Sequence, residues 1–245
     1  MIAEAARGVA PAGSWWLVAG VVVAAVPVGV VLGRALATGG YRIDDELLQR
    51  LRLPTSRRWP AAAVAVLLAL IWGLLAWRLG GVAGGAVLPA YLLLGWVTIP
   101  LGWVDVDVHR LPEGLTLPAV PMLAALLAVA SATTGDWGAL GRAVVCGVAG
   151  FLLYFLIAWF APSMMGFGDA TLAALLALAV GWLGWWWPVA AFVLAHVVAG
   201  VFVIGGLVLR RLRMTSHVAF GPFLLVGAVL ALLLPVGGSA ACCGG

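Results

Sequence analysis

Residues 166–184 read GFGDATLAALLALAVGWLG, a long apolar run that opens on one aspartate, Asp169, directly after a Gly-Phe-Gly segment. A helix needs about 20 mostly apolar residues to cross the roughly 30 Å hydrocarbon core of a bilayer. An ionised carboxylate close to that core is costly unless a partner compensates for it, so such acids are candidates for function. The stretch therefore predicts a membrane helix with a functional acid at its start.

The rest of the chain repeats this apolar pattern. Of its 245 residues, 65% are hydrophobic and only 9% are charged, and the mean hydropathy is +1.18. These values exclude an ordinary soluble domain and predict an all-α, polytopic membrane helix bundle with about eight transmembrane helices. The predicted spans are 15–37, 60–79, 82–104, 115–134, 139–161, 170–187, 188–209 and 218–236.

We expect one integral membrane domain over the whole chain, 1–245. Its helical bundle is predicted over 15–237, with a short cytoplasmic loop at 38–58 and a short tail at 238–245. The lipid bilayer of the cell membrane is the expected surrounding, and the sequence does not predict an oligomeric state.

The distribution of arginine predicts the orientation of these spans. All 13 basic residues are arginines, and an outside amino terminus places ten of them on the cytoplasmic side. Only Arg7, Arg78 and Arg142 then lie on the opposite side. This excess follows the positive-inside rule. The net charge of +4 therefore reflects membrane topology and gives no support for a nucleic-acid partner.

Three acids lack a simple explanation in loops or turns: Asp105, Asp107 and Asp169. In the predicted topology Asp105 and Asp107 end the third span, and Asp169 opens the sixth span at the same membrane face. If these two helices pack side by side, two carboxyl groups could share a proton, as in aspartic proteases. Residues two apart on a helix point to opposite sides, so we expect only one of Asp105 and Asp107 to face Asp169. The alternative is that these acids merely cap or solvate helix ends.

Gly166 and Gly168 precede the acid of the sixth span. Glycine adopts positive φ easily, so we expect this turn to bring the backbone close to a partner or an extended substrate. The alternative is an ordinary turn between helices.

Four segments in this order resemble the prepilin peptidases, also called type IV leader peptidases. They are SRRWPAAAVAVLLAL at 56–70, DVDVHRLPEGLTLP at 105–118, the GFGD segment at 166–169 and AFGPFLLVGA at 219–228. The resemblance implies a GxGD-type membrane aspartyl endopeptidase that removes the basic leader from prepilin-like or pseudopilin substrates at the cytoplasmic face of a bacterial-type membrane.

The resemblance also implies the roles of individual residues. Asp105 and Asp169 are the expected catalytic pair, and the expected supporting residues are Asp107, Gly166, Gly168 and Pro112. No metal and no cofactor is expected, because two carboxyl groups can supply both acid and base. The 220–223 turn is expected to open the last span and to support the site.

Two departures from the family pattern keep other functions open. The short loop at 38–58 stands where larger members have a domain with two CxxC pairs, so the resemblance gives little support for methyltransferase activity. Thr171 stands where the family usually has a lysine. A catalytically diverged factor that binds prepilins during assembly is therefore one alternative. The other is a proton-coupled transporter, although its expected inverted repeats and midplane polar groups are not found.

Overall fold

The computed structural model describes residues 14–38, 61–108, 113–160, 166–210 and 220–234. Within these ranges the chain forms eight α-helices and one short 3-10 turn, Val82–Gly85. The helices are α1 Trp15–Ala37, α2 Ala61–Leu79, α3 Leu88–Val108, α4 Glu113–Thr134, α5 Trp137–Phe160, α6 Phe167–Leu183, α7 Trp186–Val208 and α8 Gly221–Leu233. The predicted all-helical membrane bundle is confirmed. The tail and, apart from Thr38, the predicted cytoplasmic loop lie outside the described residues.

Six of the described helices are long and apolar enough to cross a membrane, and the chain is a multi-pass membrane protein. The other two, α6 and α8, have 17 and 13 residues. At about 1.5 Å per residue they are only about 25 and 20 Å long. Each therefore has at least one end below the surface of a bilayer of ordinary thickness.

The ends of two predicted spans are corrected by the structure. The third helix starts at Leu88 and not at residue 82, because a 3-10 turn comes first, with positive φ at Ala83 and Gly84. The sixth helix ends at Leu183, ahead of Gly184, whereas the predicted span continued to residue 187. Hydropathy alone could not place this break, because the apolar run continues into the next helix.

Helix α6 lies at the centre of the bundle, and small residues let α5 approach it closely. Most of its side chains between Ala170 and Trp182 are buried. A Cβ added to Gly150 would lie 2.8 Å from the Cβ of Ala177, and one added to Gly181 would lie 2.5 Å from the Cβ of Cys146. Such close approach of backbones is typical of membrane helix pairs.

Hydrogen bonds tie α6 to two further helices. The Tyr91 hydroxyl of α3 donates to the carbonyl oxygen of Ala179 over 2.7 Å. The indole N–H of Trp182 donates to the Ser131 hydroxyl of α4 over 3.2 Å. Both bonds are buried, so they fix the position of α6 against α3 and α4.

Two arginines satisfy the carbonyl groups at the ends of the short helices. Arg142 of α5 donates to the carbonyl oxygens of Gly181 and Trp182 at the end of α6. Arg78 of α2 donates to those of Leu232 and Leu234 at the end of α8. The last carbonyls of a helix have no partner within the helix, and lipid offers none. These arginines are two of the three that the charge distribution assigned to the side opposite the cytoplasm.

Candidate active site

The last turn of α3 brings Asp105 against the start of α8. The Asp105 side chain is only 5% exposed. Its Oδ2 accepts a hydrogen bond from the backbone N–H of Gly221 over 3.0 Å. The first N–H groups of a helix have no partner within the helix and carry partial positive charge. The start of α8 is therefore a favourable partner for a buried carboxylate.

Glycine is required at position 221 by the closeness of this contact. A Cβ built there would lie 2.6 Å from Oδ2 of Asp105 and 3.2 Å from its Cγ. The expectation that the 220–223 turn supports the site thus has a specific structural basis. The sequence could not reveal that the partner of Asp105 is a backbone N–H, and the glycine at this position was the only indication of it.

Asp169 lies in the first turn of α6 and caps it. The N–H of Asp169 donates to the Gly166 carbonyl oxygen over 3.1 Å. The N–H of Gly166 donates in return to Oδ2 of Asp169 over 3.1 Å. The alternative that Asp169 caps the end of a helix is therefore correct for the local structure of this residue. A carboxyl group held in this way is also fixed in position for chemistry.

The expectation of positive φ in this turn is wrong. Gly166 has φ −91° and ψ 161°, an extended conformation that any residue can adopt. Gly168 lies inside α6, and its φ is not positive either. The physical reason is that a residue preceding a helix normally takes extended backbone angles, so the chain enters α6 without a left-handed residue.

Aromatic contacts hold the start of α6 against α5. The Phe167 ring meets the rings of Phe151 and Phe155 edge to face, at centroid distances of 5.9 and 6.2 Å. These arrangements are favourable for aromatic pairs. They fix the backbone two residues before Asp169.

The packing of α3 against α6 places both aspartates at one end of the bundle. The Tyr91–Ala179 hydrogen bond fixes the relative level of these antiparallel helices. Asp105 lies 14 residues after Tyr91 in α3, and Asp169 lies 10 residues before Ala179 in α6. These separations correspond to about 21 and 15 Å in the same direction. The two aspartates thus lie at the same end of the bundle, on helices joined by the Tyr91–Ala179 hydrogen bond.

The remaining predicted residues have different surroundings. Asp107 is more exposed than Asp105, and Gly168 is partly buried. The Thr171 side chain is 4% exposed, and its hydroxyl donates to the Gly168 carbonyl oxygen over 2.8 Å within α6. Pro112 lies outside the described residues.

Chemically, this end of the bundle offers two carboxyl groups from different helices. Each accepts one backbone N–H through one oxygen. One carboxyl in its ionised form can take a proton from water, and the other in its protonated form can donate one. This is the chemistry of acid–base hydrolysis.

Comparison with known proteins identifies relatives of this chain. Residues 91–208 match the type IV leader peptidase family. Among curated proteins, the chain is similar to the prepilin leader peptidase/N-methyltransferase of Aeromonas salmonicida, at 34% identity over 59% of this chain and 48% of that protein. It is also similar to the protein of the same name from Aeromonas hydrophila, at 32% identity over 74% of this chain and 59% of the relative. The corresponding protein of Pseudomonas aeruginosa is 28% identical over 72% of this chain and 58% of the relative.

The chain spans about half to three-fifths of the length of these relatives. No solved structure matches it. The segment matched by the family contains both Asp105 and Asp169 but ends before Gly221. These matches confirm the family resemblance noted in the sequence: residues 91–208 of this chain are similar to the type IV leader peptidase family.

Proposed function

We propose that this chain is a membrane aspartyl endopeptidase that removes the leader peptide from type IV prepilin-like or pseudopilin substrates. The observation that carries the proposal is that Asp105 and Asp169 lie at the same end of the bundle, with Asp105 held by the start of α8. The names of the similar proteins support the substrate class. The proposal concerns the peptidase reaction alone.

The reaction needs one ionised and one protonated carboxyl group in this pair. The ionised carboxylate accepts a proton from water while the water oxygen forms a bond to the carbonyl carbon of the substrate. The protonated carboxyl donates its proton to the carbonyl oxygen, which gives a neutral tetrahedral intermediate. The C–N bond then breaks as the leaving nitrogen takes the proton of the protonated carboxyl, while one hydroxyl of the intermediate gives its proton to the other carboxylate. The new carboxyl terminus is released, and the dyad again holds one proton.

The backbone hydrogen bonds suit the pair to this task. The N–H of Gly221 stabilises negative charge on Asp105, and that of Gly166 does the same for Asp169. Each bond occupies one oxygen of its carboxyl group, Oδ2, and among the described residues none is shown to bond to the second oxygen, which can take water or substrate.

We assign the site to the cytoplasmic face of the bacterial cell membrane. The topology predicted from the sequence puts ten of the 13 arginines on the same side of the membrane as Asp105 and Asp169. The positive-inside rule then makes this end cytoplasmic. A basic leader on the same side of the membrane would reach the dyad without crossing the bilayer.

The test is cleavage of a co-expressed prepilin by four forms of the protein: wild type, Asp105→Asn, Asp169→Asn and Asp107→Asn. Asparagine keeps the size of the side chain but cannot exchange the required proton. We expect wild type to release the basic leader, with the mass of the product fixing the bond that is cut. Asp105→Asn and Asp169→Asn should abolish cleavage at normal membrane levels, and Asp107→Asn should retain it.

Cleavage by both Asp105→Asn and Asp169→Asn would disprove the proposed dyad. A wild-type protein that cuts nothing, but co-purifies with prepilin, would favour the diverged assembly factor. Thr171 bears on that alternative because it stands where the family usually has a lysine. Its side chain is buried, and its hydroxyl donates a hydrogen bond within α6.

A further inference from the structure

Tyr154 of α5 carries a buried hydroxyl that no described residue satisfies. The side chain is 1% exposed. Its oxygen has no hydrogen-bond partner within the described part of the chain. Buried polar side chains nearly always have partners, so an unsatisfied hydroxyl calls for an explanation.

The packing of α5 against α6 places this hydroxyl beside the first turns of α6. Added Cβ atoms at Gly147 and Gly150 would contact the segment 173–178 of α6, and the two helices are antiparallel. Tyr154 lies about one helical turn beyond Gly150, toward the start of α6. Its neighbours Phe151 and Phe155 both contact Phe167. The same register places Tyr154 level with the first turn of α6, which carries Asp169.

The tyrosine ring is held by contacts on the other side as well. Its centroid lies 5.2 Å from that of Phe192 and 6.4 Å from that of Phe220. Phe220 directly precedes Gly221, whose N–H binds Asp105. Tyr154 therefore lies between the segment that carries Asp169 and the segment that holds Asp105.

The hydroxyl is near Asp169 but is not directly hydrogen bonded to it. A phenol O–H donates one hydrogen bond, and one water molecule can bridge such a donor to a carboxylate at nearly the enthalpy of a direct bond. A water molecule in that bridge would donate a hydrogen bond to the Asp169 carboxylate and accept one from the Tyr154 hydroxyl. Its second lone pair would then be free to attack a carbonyl carbon.

We propose that Tyr154 is a positioning residue of the dyad, whose hydroxyl donates a hydrogen bond to the water that Asp169 holds for attack on the peptide bond. This inference rests on the proposed function. The same oxygen becomes one hydroxyl of the tetrahedral intermediate, so the hydrogen bond persists through the reaction. No atom or charge beyond those of the dyad reaction is needed.

Tyr154→Phe removes the hydroxyl alone, and Tyr91→Phe is its matched control. Tyr91 is also buried in the bundle, but its hydroxyl is satisfied by Ala179. We expect Tyr154→Phe to lower kcat by about 10- to 100-fold, since a misplaced reactant costs rate in this range, with KM changed less than about twofold. Its melting temperature should stay close to that of wild type, because the hydroxyl bonds to no described residue of the bundle. Tyr91→Phe should show the opposite pattern: it should lower the melting temperature, because it removes a bond between α3 and α6, and change kcat much less than Tyr154→Phe does.

A second measurement tests the hydrogen bond itself. A peptide isostere with a hydroxyl in place of the attacking water is compared with its analogue that lacks the hydroxyl. In wild type the hydroxyl should strengthen binding, and Tyr154→Phe should reduce this preference by about tenfold, since one hydrogen bond is worth roughly that factor. Tyr91→Phe should leave the preference as it is in wild type.

An active wild type together with a Tyr154→Phe variant of normal kcat would overturn the inference and leave the proposed function intact. The inference is also overturned if Tyr154→Phe lowers both kcat and the melting temperature while the protein still prefers the isostere with the hydroxyl as strongly as wild type does. A wild type that cleaves no prepilin at all would refute the proposed function, and the role of Tyr154 with it.

Discussion

The backbone N–H of Gly221 donates a hydrogen bond to Oδ2 of Asp105 over 3.0 Å, joining the end of α3 to the start of α8 across 116 residues of sequence. The contact leaves no room for a side chain on the glycine, because an added Cβ would lie 2.6 Å from the accepting oxygen. The position of one proposed catalytic carboxyl group thus depends on the identity of a residue that has no side chain.

Gly221→Ala is therefore expected to displace Asp105 and to reduce cleavage by at least about tenfold, since a displacement of about 1 Å at a reacting group is enough for such a loss. The measurement is kcat on a prepilin substrate, with the membrane level of the variant checked in parallel. Gly205→Ala in α7 is the matched control, because a Cβ there meets nothing within 4 Å. Equal activity of the two variants would contradict the role assigned to Gly221.

Gly166→Ala is expected to fold as well as wild type. The residue is extended, with φ −91°, and among the described residues the atom nearest to an added Cβ is the Gly168 nitrogen at 3.9 Å. The same Cβ would lie 4.0 Å from Oδ2 of Asp169, where it narrows the approach to the carboxyl group. We therefore expect an unchanged melting temperature and a raised KM. A loss of folding would show instead that the backbone at this position demands glycine.

Arg142→Lys is expected to weaken the far end of α6 without altering the chemistry at its start. The guanidinium donates to the carbonyl oxygens of both Gly181 and Trp182, and a lysine cannot reproduce this paired geometry. Loss of one such bond should lower the free energy of unfolding by about 1–3 kcal/mol. Thermal unfolding in detergent measures this change, with Arg34→Lys at the exposed end of α1 as the control. A normal melting temperature, or a loss of kcat in fully folded protein, would count against the capping role.

Thr171→Val tests whether the hydroxyl at the position of the family lysine takes part in the reaction. Because this hydroxyl donates to the Gly168 carbonyl oxygen within its own helix, we expect kcat to stay within about threefold of wild type and stability to fall by about 1 kcal/mol or less. Thr98→Val in α3 is a matched control, since Thr98 makes the same kind of bond to Gly95 over 2.8 Å. A large loss of kcat confined to Thr171→Val would assign the hydroxyl a part in catalysis.

Helix positions followed from the sequence where an apolar run has clear ends. The first predicted span, 15–37, coincides with α1 because its run is apolar apart from Arg34 in the last turn and is bounded by the polar residues Ser14 and Thr38. The sixth span was misplaced at its end because hydropathy continues through the tryptophans after Gly184, whereas the helix stops at Leu183. The expected conformation of Gly166 was wrong for a related reason. Glycine permits positive φ, but the position directly before α6 favours extended backbone angles.

The sequence by itself determined the membrane character of the chain, the eight helices of its described ranges and the family motifs around Asp105 and Asp169. These features depend on local composition and spacing, which can be read along the chain. Only the tertiary structure decided that Asp105 is buried against Gly221 while Asp107 is more exposed, and that the Tyr154 hydroxyl lies beside the pair without a described partner. The physical reason is that burial and hydrogen bonding at this site depend on contacts among α3, α5, α6 and α8, which are distant in sequence and meet only when the bundle packs.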